Sequence, residues 1–368
     1  MQLFTPLTLR GVQLPNRTVL SPMCQYSAAD GIANDWHVIH YGRFALGGFG
    51  LVMVEASAVT RAGRGTYGDV GIWNDVQASA LARIAGMLRA NGAVPGIQLN
   101  HAGRKSSALR PWEGRGSLDD AHARIGEGPW EIHAPSALPW SDGWIVPNAM
   151  TEAEIEDMIE AFAAAARRAI VAGFDVVEIH SAHGYLLSEF LSPSSNVRTD
   201  AYGGSRENRM RFPLAVIERV RAAMPDDKPL FVRISSIDGM PDGWNMDDSV
   251  AYAAAAKALG ADVIDCSSGG FARYEAKRFP GYQIPYAERV KKEAGVASMA
   301  VGLITEAAMA EDIIASGKAD LVAIAREALV DPNWPLRARK ALGEDPTDFS
   351  KWPVQFENWL AGRARERR

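Results

Sequence analysis

Residues 151–182 read TEAEIEDMIEAFAAAARRAIVAGFDVVEIHSA. Thr151 stands three residues before Glu154, the spacing of a capping box, and Gly173 is placed to end the helix that begins there. The next run, 175–182, is rich in Val and Ile and does not alternate strictly between apolar and polar residues. Such a run predicts a strand covered on both faces, as in a parallel sheet. The stretch therefore predicts a helix followed directly by a buried strand.

The same unit recurs along the whole chain. The strand candidates are 17–23, 50–59, 94–102, 175–182, 230–235, 262–268, 297–303 and 321–326. Helical patterns lie near 36–47, 76–90, 151–171, 206–223, 247–259, 284–294, 306–316 and 332–342. Eight strands, each followed by a helix, predict an α/β fold of the (β/α)8 TIM-barrel type, with a doubly wound open sheet as the structural alternative.

The chain shows no linker and no second core, so we expect one domain over 1–368. It carries a long insertion at 103–150, after the third strand, and a tail at 352–368. The insertion contains four tryptophans among Pro and Gly: Trp112, Trp130, Trp140 and Trp144. Loops of this length are usually lids or binding loops. A surface excursion whose tryptophans pack on the top of the barrel is the alternative.

The composition narrows the possible partners and the compartment. Hydrophobic residues make up 47% of the chain and charged residues 23%, with a formal net charge of -5 and no acidic or basic block. We therefore expect neither nucleic acid nor an anionic membrane as a partner. Two cysteines, Cys24 and Cys266, provide neither a disulfide framework nor a metal cluster and suit a reducing cytoplasm. The amino-terminal residues do not have the pattern of a signal peptide.

Reactive residues of a TIM barrel lie at the carboxyl ends of its strands. Reading those ends in chain order gives Ser21-Pro22-Met23-Cys24-Gln25-Tyr26, Glu55-Ala56, Gln98, Asn100, His101, His180, His183, Tyr185, Arg233, Ser267-Ser268-Gly269-Gly270, Gly302 and Ala325-Arg326.

The group His180-x-x-His183-x-Tyr185 carries the most chemistry. Two imidazoles can donate hydrogen bonds to one oxygen, and a nearby phenol can supply a proton. A zinc pair or buried structural histidines are the alternatives. Zinc would need a third and a fourth ligand, and Cys24 stands alone.

Arg233 and a set of glycines suggest an anionic ligand. A cation in a barrel mouth needs an anionic partner, which a bound ligand would supply; an internal ion pair with Glu55 or Glu178 is the alternative. Gly269, Gly270, Gly302 and Arg326 follow the last three strands. Loops in that region commonly form a phosphate site, although such glycines also make simple turns.

Three other sequence patterns are weaker indications of a function. Residues 63–68 match G-x-G-x-x-G, but no helical period follows, so a dinucleotide fingerprint is not expected. A Schiff-base aldolase would need a lysine at a strand end, and none of these ends has one. A hydrolase that pairs Cys24 with His180 or His183 remains a minor alternative.

Taken together, these residues resemble the old yellow enzyme family over nearly the whole chain. The matching motifs are Leu3-Phe4-x-Pro6-Leu7, Leu14-Pro15-Asn16-Arg17, Pro22-Met23, Asp69-x-Gly71-Ile72-Trp73, Gln98-Leu99-x-His101-Ala102-Gly103-Arg104, Leu191-Ser192-Pro193, Asn196-x-Arg198-x-Asp200-x-Tyr202-Gly203-Gly204-Ser205-x-Glu207-Asn208-Arg209-x-Arg211-Phe212, Gly302-Leu303-Ile304-Thr305 and Ala325-Arg326-Glu327-x-Leu329-x-Asp331-Pro332. Details such as Cys24 and Tyr26 resemble the bacterial branch of xenobiotic reductases and their thermostable relatives.

The resemblance implies a noncovalently bound FMN, reduced by NADPH or NADH, that passes hydride to an activated alkene. His180 and His183 would anchor the substrate oxygen, Tyr185 would donate the proton, and Cys24 would tune the flavin. The implied flavin-binding set is Ser21, Pro22, Met23, Cys24, Ala56, Gln98, His180, Arg233, Ser268, Gly269, Gly270, Gly302, Ala325 and Arg326. The implied substrate-binding set is Tyr26, His180, His183, Tyr185 and Trp359. A flavin-dependent oxidase or demethylase of the same fold is the alternative activity.

Two positions depart from the family pattern. Trp359 stands in the C-terminal segment where part of the branch has an arginine, and Ala300 stands where xenobiotic reductases have a tryptophan. The resemblance implies a homodimer or a dimer-based homotetramer in which Trp359 reaches the neighbour's active site. Packing of the tail on its own barrel is the alternative.

Overall fold

The computed structural model describes residues 1–114, 116–271 and 278–366. Eight strands pair in parallel and close into one barrel in the order β6-β7-β8-β1-β2-β3-β4-β5. The strands are β1 Thr18–Leu20, β2 Leu51–Ala58, β3 Val94–Asn100, β4 Val176–Ser181, β5 Leu230–Ser235, β6 Val263–Ser267, β7 Ala297–Ala300 and β8 Leu321–Ile324. The prediction of a TIM barrel is confirmed, and the open doubly wound sheet is excluded.

Eight helices follow the strands and cover the outside of the barrel. They are α1 Asp35–Leu46, α2 Asp75–Ala90, α3 Glu152–Val171, α4 Arg206–Ala223, α5 Met246–Ala258, α6 Ile284–Ala294, α7 Ala307–Ala315 and α8 Trp334–Ala341. The capping box of α3 forms as predicted, since the Thr151 side chain accepts a hydrogen bond from the Glu154 backbone and the Glu154 carboxylate accepts one from the Thr151 backbone. Such caps satisfy backbone N–H groups that the first helical turn leaves unpaired.

The core has two parts. One lies between the barrel and its helices, and the other fills the barrel interior with side chains such as Met53, Phe231 and Met299. A short antiparallel hairpin, Leu7–Leu9 with Val12–Leu14, packs Val12 and Leu14 against this interior cluster. The barrel interior is therefore a packed core, and we expect ligands to bind at the carboxyl ends of the strands.

The strands stop short of several predicted ends. β1 ends at Leu20 rather than at 23, and β7 ends at Ala300 rather than at 303. The apolar run continues past each end, but the chain turns out of the sheet there to build the barrel mouth. Within the part of the chain that the structure describes, four further α-helices occupy segments without a predicted helix: Asp120–Ala123, Leu186–Leu191, Arg326–Val330 and Val354–Glu366. Among the described residues, we find no helix with the length and hydropathy that crossing a membrane requires.

Candidate active site

The two candidate histidines meet at the carboxyl end of β4. His180 lies in the strand and His183 in the turn that follows, with His180 Nε2 and His183 Nδ1 3.4 Å apart. Burial lowers the pKa of both imidazoles well below the usual value, and the neighbouring charges of Arg233 and Lys105 lower it further. Both rings are therefore neutral at physiological pH. Each can donate one ring N–H to a ligand.

A hydrogen bond to Ser235 and a close contact with Gly270 hold this turn in place. His183 has a left-handed backbone with φ +60°, an uncommon conformation for a side chain with a Cβ. Its backbone N–H donates to Ser235 Oγ at 2.8 Å, at the end of β5. Gly270 approaches so closely that a Cβ there would lie 2.2 Å from the His183 carbonyl carbon. The loop after β6 therefore presses on the turn after β4, and only glycine permits that approach.

Tyr185 stands against the histidine pair. Its ring packs edge-on to the His180 ring, with centroids 5.0 Å apart. Burial raises the pKa of the Tyr185 phenol above its usual value, and the nearby Cys24 and Asp69 raise it further. The phenol therefore keeps its proton at neutral pH, as a proton donor must. Cys24 and burial likewise raise the pKa of Tyr26, and Tyr185 also contributes. Cys24, Tyr26 and Tyr185 therefore lie close together, although they belong to two different loops.

Lys105, a loop residue for which the sequence predicted no role in the site, contacts the turn that carries His183. Its ammonium donates to the carbonyl oxygens of His183 at 2.6 Å and Gly270 at 2.5 Å. It also lies 5.2 Å from the centroid of the Tyr185 ring. Burial lowers the pKa of Lys105 to about 7, and the neighbouring Glu189 partly opposes that shift. Lys105 joins three loops in this way, although it follows the end of β3 in sequence.

Arg233 lies beside a carboxylate that the sequence analysis did not consider. Its Nε is 3.1 Å from Asp265 Oδ2, one strand along, because Arg233 and Asp265 are paired in register between β5 and β6. The sequence analysis named Glu55 and Glu178 as alternative ion-pair partners of Arg233, but the carboxylate of Asp265 is closer to Arg233 than either of them. Arg233 also donates to Ser21 Oγ at 3.1 Å, which links it to the end of β1.

Gln98 faces the same part of the barrel mouth. Its side-chain amide donates to Glu178 Oε1 at 2.8 Å. Burial, together with the nearby carboxyl of Asp265, raises the pKa of Glu178 to about 8. Gln98, Glu178, Arg233 and Asp265 thus form a buried polar cluster contributed by four adjacent strands. The position of Asp265 two residues before Ser267 on β6 was the one available signal, since alternate residues share a face of a strand.

A cavity of about 350 Å³ opens at the ends of the last three strands. Its lining includes Arg233, Ser267, Gln283, Gly302, Ala325 and Arg326. Gly302 has φ +120°, and a Cβ there would lie 2.7 Å from Gln283 Oε1. Only glycine therefore permits this close approach of the backbone to Gln283, which lines the same cavity. Two arginines on the wall favour an anion, so these residues fit a phosphate and an attached ring system.

The loop that carries Cys24 is anchored from below. Glu55, buried on β2, accepts hydrogen bonds from the Gln25 backbone at 2.7 Å and from the Tyr41 hydroxyl at 3.0 Å. Burial raises the pKa of Glu55 to about 8. Burial also raises the pKa of the Cys24 thiol, with contributions from Asp69 and Glu55, so this cysteine is a protonated thiol at neutral pH.

The long insertion reaches the same mouth with several of its tryptophans. Trp112 packs edge-on to Tyr26 with centroids 5.9 Å apart, and the Trp140 indole donates to the Gly270 carbonyl at 3.4 Å. Trp130 donates to the Ala62 carbonyl at 3.0 Å. The insertion therefore packs on the top of the barrel and also borders the candidate site, which combines the two interpretations left open by the sequence.

The other predicted site residues fall into two groups. Ser21, Pro22, Met23, Ala56, Ser268 and Gly269 all lie at or next to the carboxyl ends of β1, β2 and β6. Trp359 does not join them: it lies on the helix Val354–Glu366 and is 79% exposed. Residues 351–355, which lead into and begin that helix, line a cleft with Gly48 and Gly92, which precede β2 and β3 at the opposite end of the barrel. The G-x-G-x-x-G stretch at 63–68 is a loop, and the next helix begins only at Asp75.

A closed parallel barrel that gathers this chemistry at its mouth defines the chain as an NAD(P)H-dependent flavin oxidoreductase, as comparison with known proteins confirms. The sequence model of the NADH:flavin oxidoreductase / NADH oxidase family matches residues 2–345. The NADPH dehydrogenase of Geobacillus sp. (strain WCH70) is 48% identical over 343 residues, 93% of this chain and 94% of that protein. The chain belongs to this family, the old yellow enzymes.

Solved structures agree in fold. Morphinone reductase superimposes with a TM-score of 0.77 at 27% identity and covers 95% of this chain and 92% of its own. A 2-naphthoyl-CoA reductase, solved with 2-naphthoyl-CoA, gives a TM-score of 0.82 at 26% identity. The match covers 94% of this chain but only 53% of that larger protein.

Proposed function

We propose that this protein is an FMN-dependent ene-reductase that reduces α,β-unsaturated carbonyl and nitro compounds with NADPH or NADH. The observation that carries the proposal is the convergence of two neutral imidazoles and a protonated phenol at one strand end. His180 Nε2 and His183 Nδ1 are 3.4 Å apart, and the Tyr185 ring lies 5.0 Å from that of His180. Neutral donors and one acid suit an acceptor that gains hydride and then a proton.

The residues at the end of the barrel would hold FMN noncovalently. The backbone at Gly302, with Arg326 and the loop 268–270, would bind the phosphate, and Arg233 and Gln98 would bind the pyrimidine edge of the ring. Ser21, Pro22, Met23, Cys24, Ala56, His180 and Ala325 would complete the flavin site. Bound FMN, once reduced by the nicotinamide, supplies hydride to the β-carbon of the acceptor. The name of the Geobacillus relative supports NADPH as the reductant.

The protein's own groups would polarise and protonate the acceptor. His180 and His183 donate hydrogen bonds to the carbonyl or nitro oxygen, which stabilises the negative charge that develops there as hydride arrives. Tyr185 gives its proton to the α-carbon. Tyr26 would shape the pocket, and the Cys24 thiol would contact the bound flavin and tune it. These roles require neutral imidazoles and a protonated phenol, which is the state that burial favours.

We further propose that the protein works in the cytoplasm as a homodimer or a dimer-based homotetramer. The exposure of Trp359, on a helix that begins beside the end of the barrel opposite the candidate site, supports a role for it in the neighbour's pocket.

The proposal is tested with Tyr185→Phe. Because a positioned general acid contributes roughly 10²- to 10⁴-fold, reoxidation of the reduced protein by an enone should slow by about that factor. Reduction by NADPH should barely change, since no proton from Tyr185 is needed there. Stopped-flow absorbance measures the two half-reactions separately. An unaffected enone step, or equal losses in both steps, would contradict the assigned role.

A further inference from the structure

A polar layer lies inside the barrel, directly above its apolar core. On β5, Phe231 belongs to the interior apolar cluster, and Arg233 follows two residues later on the same face of the strand. On β6, Val263 and Asp265 repeat that arrangement. Glu178 joins the layer from β4, and burial of all three charged or ionisable side chains is nearly complete. Their charges therefore act on one another with little screening by water.

Arg233 links this layer to the candidate flavin cavity. Its side chain lines that cavity of about 350 Å³, and its Nη1 donates to Ser21 Oγ at 3.1 Å. Its Nε lies 3.1 Å from Asp265 Oδ2. Asp265 is fully buried, and neither of its carboxylate oxygens has a hydrogen-bond partner among the described residues. Within that part of the chain, the charge of Asp265 is therefore compensated by the ion pair with Arg233.

Of the two carboxyls in this layer, Asp265 is the one that is ionised at neutral pH. Burial raises the pKa of Asp265, but the charge of the adjacent Arg233 opposes that shift. Burial and the charge of Asp265 raise the pKa of Glu178 to about 8, so Glu178 mostly keeps its proton. Arginine stays protonated in proteins. The layer therefore contains Arg233 as a cation and Asp265 as an anion, and the two charges offset each other.

We propose that Asp265 is a positioning residue that acts through Arg233: by offsetting the arginine charge, it lowers the reduction potential of bound FMN. This inference rests on the proposed function, in which Arg233 binds the pyrimidine edge of the ring. Hydride from the nicotinamide brings two electrons and one proton, leaving NAD(P)⁺ and a reduced ring with negative charge at that edge. An uncompensated arginine there would stabilise the reduced form strongly. Asp265 weakens this stabilisation, so the reduced protein is a stronger hydride donor.

Asp265→Asn tests the proposal, because it removes the anion and keeps the shape of the side chain. Charges within about 10 Å of each other in a protein commonly change an equilibrium by tenfold or more. At pH 7 and a fixed solution potential, we expect the ratio of reduced to oxidised FMN to rise about tenfold, which corresponds to about 30 mV for a two-electron couple. The ratio is read from the absorbance of the FMN-loaded protein in equilibrium with a dye of known potential. An unchanged or lower ratio overturns the proposal.

Glu178→Gln is the matched control. It also replaces a carboxyl of the layer by an amide, but Glu178 is mostly uncharged at pH 7. This variant should leave the ratio as it is in the unsubstituted protein, and an equal rise in both variants overturns the proposal. Asp265→Ser removes the same charge with a smaller side chain and should give the same rise as Asp265→Asn. Failure of both Asp265 variants to fold or to hold FMN also overturns it, because Asp265 would then serve the fold rather than the potential.

The two half-reactions give a second readout that a merely structural role would not produce. With a higher flavin potential, reduction by NADPH should be as fast as before or faster, whereas reoxidation by an enone should be slower. Equal slowing of both steps in Asp265→Asn overturns the positioning role. The potential itself is measured without an enone. If the unsubstituted protein binds FMN but does not reduce enones, the proposed function fails, whereas the potentials still decide the role of Asp265.

Discussion

Single residues in this barrel mouth depend on groups far away in sequence. His183 reaches its left-handed backbone because the Ser235 side chain accepts its N–H and Lys105 donates to its carbonyl. No local pattern around His183 predicts that conformation, since it is neither glycine nor asparagine. A loop lysine therefore helps to decide how a histidine of another loop presents its ring.

Lys105→Met tests this dependence. The substitution removes the Lys105 donor from the carbonyls of His183 and Gly270. Gly270 keeps the Trp140 indole as a donor, whereas His183 loses its partner, and leaving a buried carbonyl unpaired typically costs about 1–3 kcal/mol. We expect a lower free energy of unfolding, measured by urea titration. We also expect weaker binding of p-hydroxybenzaldehyde, a phenol whose oxygen can take the acceptor position, because His183 is less well held. Lys318→Met, which removes a surface ion pair with Asp312, should change stability by less than about 1 kcal/mol. Similar losses in both variants would contradict a special role for Lys105.

Glu55 gives a prediction about pH. In the folded protein its carboxyl has a pKa of about 8, against 4.5 as its ordinary value, because it is buried. The folded state therefore holds this proton more tightly, and the stability it contributes below pH 4.5 is lost as pH rises to about 8. Glu55→Gln removes that component, so unfolding free energy should fall less steeply between pH 5 and 8, by on the order of a few kcal/mol in total.

Urea titrations of the FMN-free protein at a series of pH values measure this slope. Glu218→Gln, at an exposed position on α4, should leave the slope as it is in the unsubstituted protein. A slope that is the same in Glu55→Gln and the unsubstituted protein would show that Glu55 is ionised throughout this range.

At the scale of elements, the ends of the strands matter more than their middles. The middles read as apolar runs and pair as predicted, whereas the ends leave the sheet and carry glycines with positive φ, such as Gly269, Gly270 and Gly302. Helix starts were the most predictable features, because a cap and its partner lie only three residues apart. Strand ends depend on neighbouring strands, which the local sequence does not describe.

Gly302→Ala tests the end of β7. The new Cβ would lie 2.7 Å from Gln283 Oε1 and would force Gln283 to move within the lining of the candidate phosphate cavity, so FMN affinity should fall at least about tenfold. Gly317→Ala is the matched control: Gly317 also has a positive φ, +74°, but among the described residues its Cβ would meet open space. Both variants should lose roughly 1 kcal/mol of stability from backbone strain.

FMN binding is measured by quenching of flavin fluorescence on titration with the FMN-free protein. We expect the control to bind FMN as the unsubstituted protein does. Normal binding by Gly302→Ala, or equal loss in the two variants, would show that the cradle at Gly302 does not hold the phosphate.

On the scale of the whole molecule, the C-terminal helix is an element that adds no side chain to the core of the barrel. The helix Val354–Glu366 has no buried residue among those described. It exposes Val354 at 73%, Phe356 at 44% and Trp359 at 79%. Exposed apolar side chains gathered on one element commonly mark a contact with another protein surface. A second copy of this chain is the partner that we propose for it.

Mixed oligomers test whether Trp359 acts across that contact. Trp359→Ala subunits and Tyr185→Phe subunits are each expected to be impaired, but after subunit exchange some pockets combine an intact Tyr185 with an intact Trp359 from the neighbour. Turnover of a bulky enone should therefore recover above the average of the two parents. A simple average, with exchange verified by mass spectrometry, would place Trp359 in its own chain's site or in none. Deleting residues 352–368 should weaken association while FMN stays bound.

What the sequence determined by itself was the set of short-range features. The eight strand–helix units, the capping box of Thr151 and Glu154, and the candidate pair His180 and His183 could all be read from residues a few positions apart. The TIM barrel follows from them because eight such units in succession favour closure of a parallel sheet. The family motifs then identified the chemistry, which is why the fold, the enzyme class and the family were predicted correctly.

Only the tertiary structure decided which groups face one another across the barrel mouth. Asp265 rather than Glu55 or Glu178 lies against Arg233, Lys105 supports His183, and Ser267 contacts the ring nitrogen of His183. These partners are separated by 32 to 84 residues and are set by strand register and by barrel closure. The physical reason is that burial and strand pairing are properties of the closed sheet, whereas propensity and capping act within a few residues of the chain.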